Sequence, residues 1–81
     1  MQNELKTWPE YFNEVIMNRK PFEVRKNDRN FSVGDWLYLR EFDPLYGEYT
    51  GNNAVREVTY VLNGGQFGIE SGYVVMGLKE V

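Results

Sequence analysis

The chain has 81 residues, enough for one domain, and 42% of them are hydrophobic, an ordinary share for a globular protein. Cysteine and histidine are both absent, which excludes disulfides, thiolate and imidazole metal sites, and the Ser-His and Cys-His nucleophile systems. The formal net charge of −3 argues against a protein that coats nucleic acids without selection.

The first predicted elements are a short strand around Leu5 and a helix over about residues 9–17. Thr7 is expected to cap this helix, and Glu10 completes a capping box with it. Asn18 can adopt the left-handed conformation that ends a helix. The apolar residues of the segment recur with the 3.6-residue period of a helix that packs on a core: Trp8, Phe12, Val15 and Ile16.

A period of two follows the helix. Apolar and charged side chains alternate over residues 22–25, as they do in a strand. Phe22 and Val24 are expected to face the core, and Glu23 and Arg25 to project together from the opposite face. Further strands are predicted over residues 36–42, with Leu37 and Leu39 on one face, and over residues 54–62 and 73–78.

The predicted fold is therefore a single α+β domain over residues 1–81. It has about five to six short, mostly antiparallel strands and one main helix near the N-terminus. At this size, we expect the sheet to curl into a small β-barrel, because closure removes exposed strand edges. A turn-rich excursion over residues 43–53 is expected to form a hairpin.

Residues 19–29 differ in charge from the rest of the chain. They hold five basic and two acidic side chains, a balance of +3, whereas the remainder holds four and ten, a balance of −6. This contrast predicts a localised anion-binding face. Within the segment, Lys20, Glu23 and Arg25 are expected to come close together, and a carboxylate between two cations suits the recognition of a base edge or a phosphate. Spacing alone favours the alternative of an exposed ion pair, which contributes little.

Aromatic side chains offer possible stacking platforms for bases. Five residues are candidates for this role: Trp36, Tyr38, Tyr46, Tyr49 and Phe67. For Trp36 and Phe67, filling of the core is the favoured interpretation. The glycine-rich residues 64–68 do not fit a phosphate-binding loop, since no Lys-Ser/Thr pair follows them.

Several blocks of the sequence, in order, carry a family resemblance. They are residues 4–6, 9–12, Lys20 with 22–29, 33–35, 59–62, 64–68 and 72–75. These blocks closely resemble a bacterial and phage family of unknown function in the ASCH (activating signal cointegrator homology) group of the PUA-like superfamily. The resemblance spans nearly the whole chain. It implies a PUA-like β-barrel with a cleft between barrel and helix, where ASCH proteins are proposed to bind RNA or nucleotides.

The hallmark of the ASCH group resembles Gly-x-Lys-x-x-Glu-x-Arg. Lys20, Glu23 and Arg25 match its three functional positions, and Asn18 replaces its glycine. The resemblance therefore favours a site over a surface ion pair. It implies an RNA-binding or nucleotide-binding module at the corner between helix and strand, and the predicted nucleic-acid-binding residues are Lys20, Glu23, Arg25, Lys26 and Arg29.

The resemblance also implies an alternative, a small amidohydrolase that acts on acylated modified nucleosides. Relatives of this kind use a lysine, a threonine and a glutamate. Lys20 matches the lysine, but Glu23 occupies the threonine position, and Glu70 is only a candidate for the carboxylate. Family members often carry histidine where this chain has Asn3. The sequence therefore leaves catalysis open, with Lys20 and Glu23 as the residues concerned if the protein is an enzyme.

The remaining expectations concern partners and location. No cofactor and no metal are predicted, and an RNA or nucleotide ligand is expected. No apolar run approaches membrane-spanning length, and residues 1–6 lack the hydrophobic stretch of a signal peptide, so a cytoplasmic protein without a membrane partner is expected. A protein–protein adaptor is a third possibility, and the oligomeric state is left open.

Overall fold

The computed structural model describes residues 2–81, which form one sheet of five strands and one short helix. The elements in chain order are β1 (Gln2–Thr7), α1 (Pro9–Ile16), β2 (Phe22–Lys26), β3 (Trp36–Asp43), β4 (Glu48–Asn63) and β5 (Tyr73–Glu80). The predicted small, barrel-like α+β fold is confirmed at this level. Within these residues, no helix has both the length and the apolar character needed to cross a membrane.

The sheet is open between β1 and β2, the first two strands along the chain. Its order is β1-β3-β4-β5-β2, so β1 and β2 are the outermost strands. β1 runs parallel to β3, and every other neighbouring pair is antiparallel. The sheet curls into a half-barrel, which brings β1 and β2 near each other, and we call the gap between them the seam.

Two irregularities in the strands favour this curvature. The register between β3 and β4 shifts between Arg40 and Phe42, and the register between β4 and β5 shifts between Val58 and Tyr60. A bulge bends its strand and increases the local twist. The 16 residues of β4 can therefore pair with both β3 and β5 while the sheet curls.

The core lies on the concave side of the sheet. Its six most deeply buried side chains are all aliphatic or methionine: Leu37, Leu39, Met76, Val15, Val58 and Val74. The predicted inward face of Leu37 and Leu39 is confirmed. α1 closes the concave side with Phe12 and Val15, the two buried residues of its apolar face.

The start of α1 differs from the prediction. Thr7 belongs to β1 and does not cap the helix; the cap position is Trp8, which has no side-chain capping bond. The residue before a proline is disfavoured in helical conformation, and Trp8 accordingly has the extended angles φ −66° and ψ 150°. Trp8 and Ile16 are 49% and 45% exposed, so their predicted place in the core is wrong. The predicted left-handed helix end at Asn18 is confirmed by its φ of 58°.

The C-terminal end of α1 provides a titration test. Arg19 donates from Nε and Nη2 to the two carboxylate oxygens of Glu14, at 2.9 and 2.8 Å. These hydrogen bonds lower the pKa of Glu14 and raise that of Arg19. We expect an NMR titration to show Glu14 protonating below the usual pH range of glutamates, and Arg19→Ala to move it back up. Because the folded protein holds the pKa of Glu14 below its value in the unfolded chain, the pair stabilises the fold at pH values above the unfolded pKa, and this contribution is lost as the pH falls through the folded pKa. An unchanged Glu14 titration in Arg19→Ala would contradict the pairing.

Two aromatic residues predicted to fill the core lie outside it. Trp36 is 37% exposed and Phe67 is 82% exposed. Phe67 sits at the tip of a tight turn in which the Ile69 N–H donates to the Gln66 carbonyl at 2.9 Å. The φ of Phe67 is 54°, and the turn places its ring away from the sheet. The core interpretation of both rings is therefore wrong.

Candidate functional site

Strand β2 presents Glu23 and Arg25 to the concave side of the half-barrel. Glu23 is only 3% exposed, whereas Phe22 and Val24 are 42% and 50% exposed. The predicted orientation of this strand is therefore reversed. Alternation over residues 22–25 correctly indicated a strand, but a period of two fits either face, and the sheet places the polar face inward at the seam.

Glu23 is held between two cations. Lys20 Nζ donates to its Oε1 at 2.6 Å, and Arg25 Nε donates to its Oε2 at 2.8 Å. The cation side chains are 19% and 27% exposed, in contrast to 4% for the Glu23 side chain. A buried carboxylate needs such partners, because an unpaired charge in a low-dielectric interior is strongly unfavourable. The predicted proximity of Lys20, Glu23 and Arg25 is confirmed, and their summed charge is +1.

Arginine side chains connect the two edges of the seam. Arg25 Nη2 donates to the main-chain carbonyl of Lys6 at 2.6 Å, and Arg29 Nη1 donates to that of Glu4 at 2.5 Å. Both carbonyls belong to β1, and Arg25 belongs to β2. Guanidinium groups therefore supply hydrogen bonds across a gap in which the sheet order has no β1–β2 pairing. Arg25 serves two purposes, since it also binds Glu23.

A cavity of about 470 Å³ lies at this seam, between the start of α1 and the ends of β1 and β2. Trp8, Tyr11 and Val24 supply apolar surface to its wall. Lys20 Nζ lies 5.9 Å from the centroid of the Tyr11 ring, within the range of a cation–π contact. The complete lining consists of Lys6, Thr7, Trp8, Tyr11, Lys20, Glu23, Val24 and Arg25.

Two buried polar atoms of β1 lack hydrogen bonds. Asn3 Nδ2 and Thr7 Oγ1 have no partner, although their residues are only 7% and 3% exposed. Both residues are buried on the concave side of β1, in alternation with the exposed Glu4 and Lys6. Of the two, Thr7 lines the cavity and Asn3 does not. Thr7 is therefore the buried polar side chain at the site whose hydrogen-bonding capacity is unused.

The other predicted residues lie around the cavity or away from it. Lys26 is exposed at the end of β2 and is not part of the lining, and Arg29 binds the edge of β1 as described. Glu70 lines a second cavity of about 360 Å³, which shares Val24 with the first. The structure thus places Lys20 and Glu70 in different cavities. The predicted role of Lys20 and Glu23 in catalysis is not tested by this placement and stays a prediction.

The predicted stacking residues lie elsewhere on the molecule. Tyr46 and Tyr49 are 73% and 39% exposed on the hairpin between β3 and β4. Tyr49 packs edge-on against Phe42 at 5.2 Å between ring centroids, and the Arg40 guanidinium lies 3.8 Å from the Tyr49 centroid. None of the five predicted aromatics lines the cavity at the seam.

Five residues of the cavity lining were not predicted from the sequence: Lys6, Thr7, Trp8, Tyr11 and Val24. One signal in the sequence was available. The proline after Trp8 disfavours a helical conformation at Trp8, so this residue was better placed at the junction of strand and helix than on the helix's buried stripe. Nothing in the sequence indicated that β1 would lie opposite β2 across the seam.

The chemistry of the cavity is that of hydrogen bonding and charge. Across residues 2–81, no three acidic side chains are grouped so that they could hold a metal ion. Lys20 and Arg25 retain N–H groups beyond those used on Glu23, and the carboxylate oxygens retain lone pairs. The arrangement can therefore receive both an anionic group and a neutral polar edge beside an aromatic wall.

The fold and the cavity define a small, barrel-like α+β protein with a charged cavity at the open side of its sheet. The chain belongs to the family described as "Domain of unknown function (DUF3850)", which matches residues 2–78. It is similar to an Escherichia phage P2 protein named "Uncharacterized 12.9 kDa protein in GpA 3'region", with 37% identity over 59 residues. The match covers 73% of this chain and 52% of that protein, so it spans about half the length of the phage relative. The predicted phage-related family is confirmed.

Proposed function

We propose that this protein binds RNA or a nucleotide in the cavity at the seam, as an ASCH domain of the PUA-like superfamily. The observation that carries the proposal is the buried carboxylate of Glu23, held by Lys20 and Arg25 in a cavity with aromatic walls. The resemblance to the ASCH group supports it, because that group's proposed binding cleft lies between barrel and helix. The cavity of this chain also lies between the sheet and α1.

The size of the cavity supports a single nucleotide unit as its occupant. Its volume of about 470 Å³ falls in the lower half of the range for small-molecule sites. A duplex does not enter such a space, whereas one base of a single strand, or one free nucleotide, does. Recognition of RNA through unstacked bases is the usual route to sequence preference.

The side chains of the cavity suit different parts of a nucleotide. Trp8 and Tyr11 offer ring faces on which a base can stack. The remaining N–H groups of Lys20 and Arg25 suit a phosphate or a carbonyl oxygen, and Glu23 can accept from an amino group or a sugar hydroxyl. Lys26 and Arg29, outside the cavity, are positioned to attract the phosphates of a longer strand.

The proposal predicts salt-sensitive binding of single-stranded RNA. A fluorescein-labelled pool of RNA 10-mers is titrated with protein at several salt concentrations, and anisotropy is recorded. Lys20→Met is expected to weaken binding by about tenfold or more, because it removes a charge-assisted hydrogen bond. It should also reduce the slope of log affinity against log salt by about one.

Lys79→Met is the matched control for this measurement. Lys79 is an exposed lysine of β5 that pairs with Glu57 at 3.6 Å and lies outside the cavity lining. This control changes the net charge of the protein by the same amount. Absence of binding to the pool at 50 mM salt, about the low end used for such complexes, would reject the proposed function. Equal weakening by the two lysine variants would reject the cavity as the site.

A further inference from the structure

Thr7 and Asn3 differ from the other buried polar side chains in having an atom without a hydrogen-bond partner, and of the two Thr7 lines the cavity. Glu23 binds two cations, and Glu41 accepts from Thr50 Oγ1 at 2.7 Å and from Asn52 Nδ2 at 3.0 Å. Thr7 is as deeply buried as Glu23, at 3% exposure, but its hydroxyl has no partner. Burial of an unpaired hydroxyl is unfavourable, and a satisfied site is the rule in folded proteins.

Thr7 borders the cavity at the seam. The residue lies at the end of β1, where the strand meets α1, and it lines the cavity together with its neighbours Lys6 and Trp8. The carbonyl of Lys6 is already used by Arg25. Thr7 therefore adds a small neutral hydroxyl to a cavity that also holds four charged side chains and the polar ends of Trp8 and Tyr11.

The Thr7 hydroxyl can be brought to the cavity by rotation of its side chain, without a change in the backbone. In the structure, Oγ1 is covered by its surroundings. Rotation about χ1 to another staggered rotamer moves the hydroxyl into a position that the methyl group or the Cβ hydrogen held, and threonine uses more than one χ1 rotamer. Such a rotation can turn the hydroxyl toward the cavity when a partner group is present there.

We propose that Thr7 is a specificity-determining residue of the cavity, and that its hydroxyl hydrogen-bonds the polar edge of a nucleobase whose ring lies against Trp8 and Tyr11. This inference rests on the proposed function and names the part of the ligand that is read. A hydroxyl can both donate and accept, so it suits a ring carbonyl or a ring N–H. A base without a suitable group leaves the hydroxyl unpaired and is disfavoured.

The inference predicts opposite effects of one substitution on stability and on selectivity. Thr7→Val is nearly isosteric and removes the unpaired hydroxyl, so its midpoint of urea unfolding is expected to rise. Titration calorimetry with each of the four ribonucleoside 5′-monophosphates should show that wild-type protein prefers one of them. Thr7→Val should bind that nucleotide about tenfold or more weakly and lose the preference. Thr7→Ser keeps the hydroxyl and should retain the preference for that nucleotide.

Thr59→Val is the control, because Thr59 is an exposed threonine outside the cavity lining. It should leave both binding and selectivity unchanged. Wild-type protein that binds none of the four nucleotides overturns the proposed function and this inference together. Wild-type protein that binds without preference, or a Thr7→Val variant that keeps the preference, overturns this inference alone. A lower unfolding midpoint in Thr7→Val would mean that the hydroxyl has a structural partner, which also overturns it.

Discussion

Replacement of Arg25 by alanine is expected to lower the free energy of unfolding by about 3 kcal/mol. The substitution leaves the buried Glu23 with Lys20 as its one remaining cation among the contacts of the described residues. It also removes the hydrogen bond to the Lys6 carbonyl, which links the two edges of the seam. Urea unfolding followed by tryptophan fluorescence measures the change. Trp8 directly follows the last residue of β1, and Trp36 begins the neighbouring strand β3, beside the first residue of β1.

Two further variants separate the causes of this loss. Lys26→Ala removes an exposed cation of the same strand and should change stability by less than about 0.5 kcal/mol. Glu23→Gln, made alone and in the Arg25→Ala background, replaces the charge with a neutral amide, which needs no cation. We expect the double-mutant cycle to give a coupling energy of about 1–3 kcal/mol between positions 23 and 25. A coupling near zero, or equal losses in Arg25→Ala and Lys26→Ala, would contradict the buried pairing.

Gly64→Ala is expected to destabilise the protein by about 3 kcal/mol or more, because it forces backbone atoms apart. A Cβ at Gly64 would overlap the Glu70 carbonyl oxygen and lie 2.8 Å from that of Tyr73. The N–H of Gly64 donates to the same Tyr73 carbonyl at 2.7 Å, so the close approach is part of the end of the β4–β5 ladder. Glycine is required here for close approach of two chain segments.

Gly68→Asn is the matched comparison for Gly64→Ala. Gly68 has a φ of +77°, and a Cβ there would meet open space. Asparagine tolerates the left-handed region better than other residues with a side chain. We therefore expect the unfolding midpoint of Gly68→Asn to stay close to that of the wild type, while that of Gly64→Ala falls far below it. Similar midpoints for the two variants would mean that crowding at Gly64 is relieved by a small backbone shift.

The strands were predictable because their sequence periods are local. Leu37 and Leu39 alternate with more polar residues and are fully buried in β3, as expected. The extent of β4 was underestimated, since it begins at Glu48 and not near residue 54. Its first residues have little strand signal of their own, and they are held by pairing with β3, in which Phe42 lies opposite Tyr49. Such pairing depends on another segment of the chain.

Alternation along a strand does not specify which face is buried. The reversal at Glu23 and Val24 shows this, because β2 is an outermost strand and its inner face meets the open seam rather than the apolar core. The exposure of Trp36 also depends on the sheet, whereas that of Phe67 follows from its place at the tip of a turn. Aromatic rings are usually buried, but burial requires a second layer, and the convex side of a single curled sheet has no such layer among residues 2–81.

Part of the candidate site could be predicted from the sequence. The charge of residues 19–29 and the spacing of Lys20, Glu23 and Arg25 are local features, and together with the family resemblance they indicated the corner between helix and strand. The structure brings those three side chains into contact. Charge and spacing along one segment are enough to predict such a cluster, because all its members lie within six residues.

The cavity itself depends on segments that are distant along the chain. Thr7 and Trp8 meet Arg25 because the sheet curls and places β1 beside β2, although the strand order separates them by the whole width of the sheet. Local sequence therefore determines the strands, the helix and the charged cluster. Closure of the half-barrel determines which residues line the cavity, because burial of the core requires the curl, and the curl brings the outermost strands together.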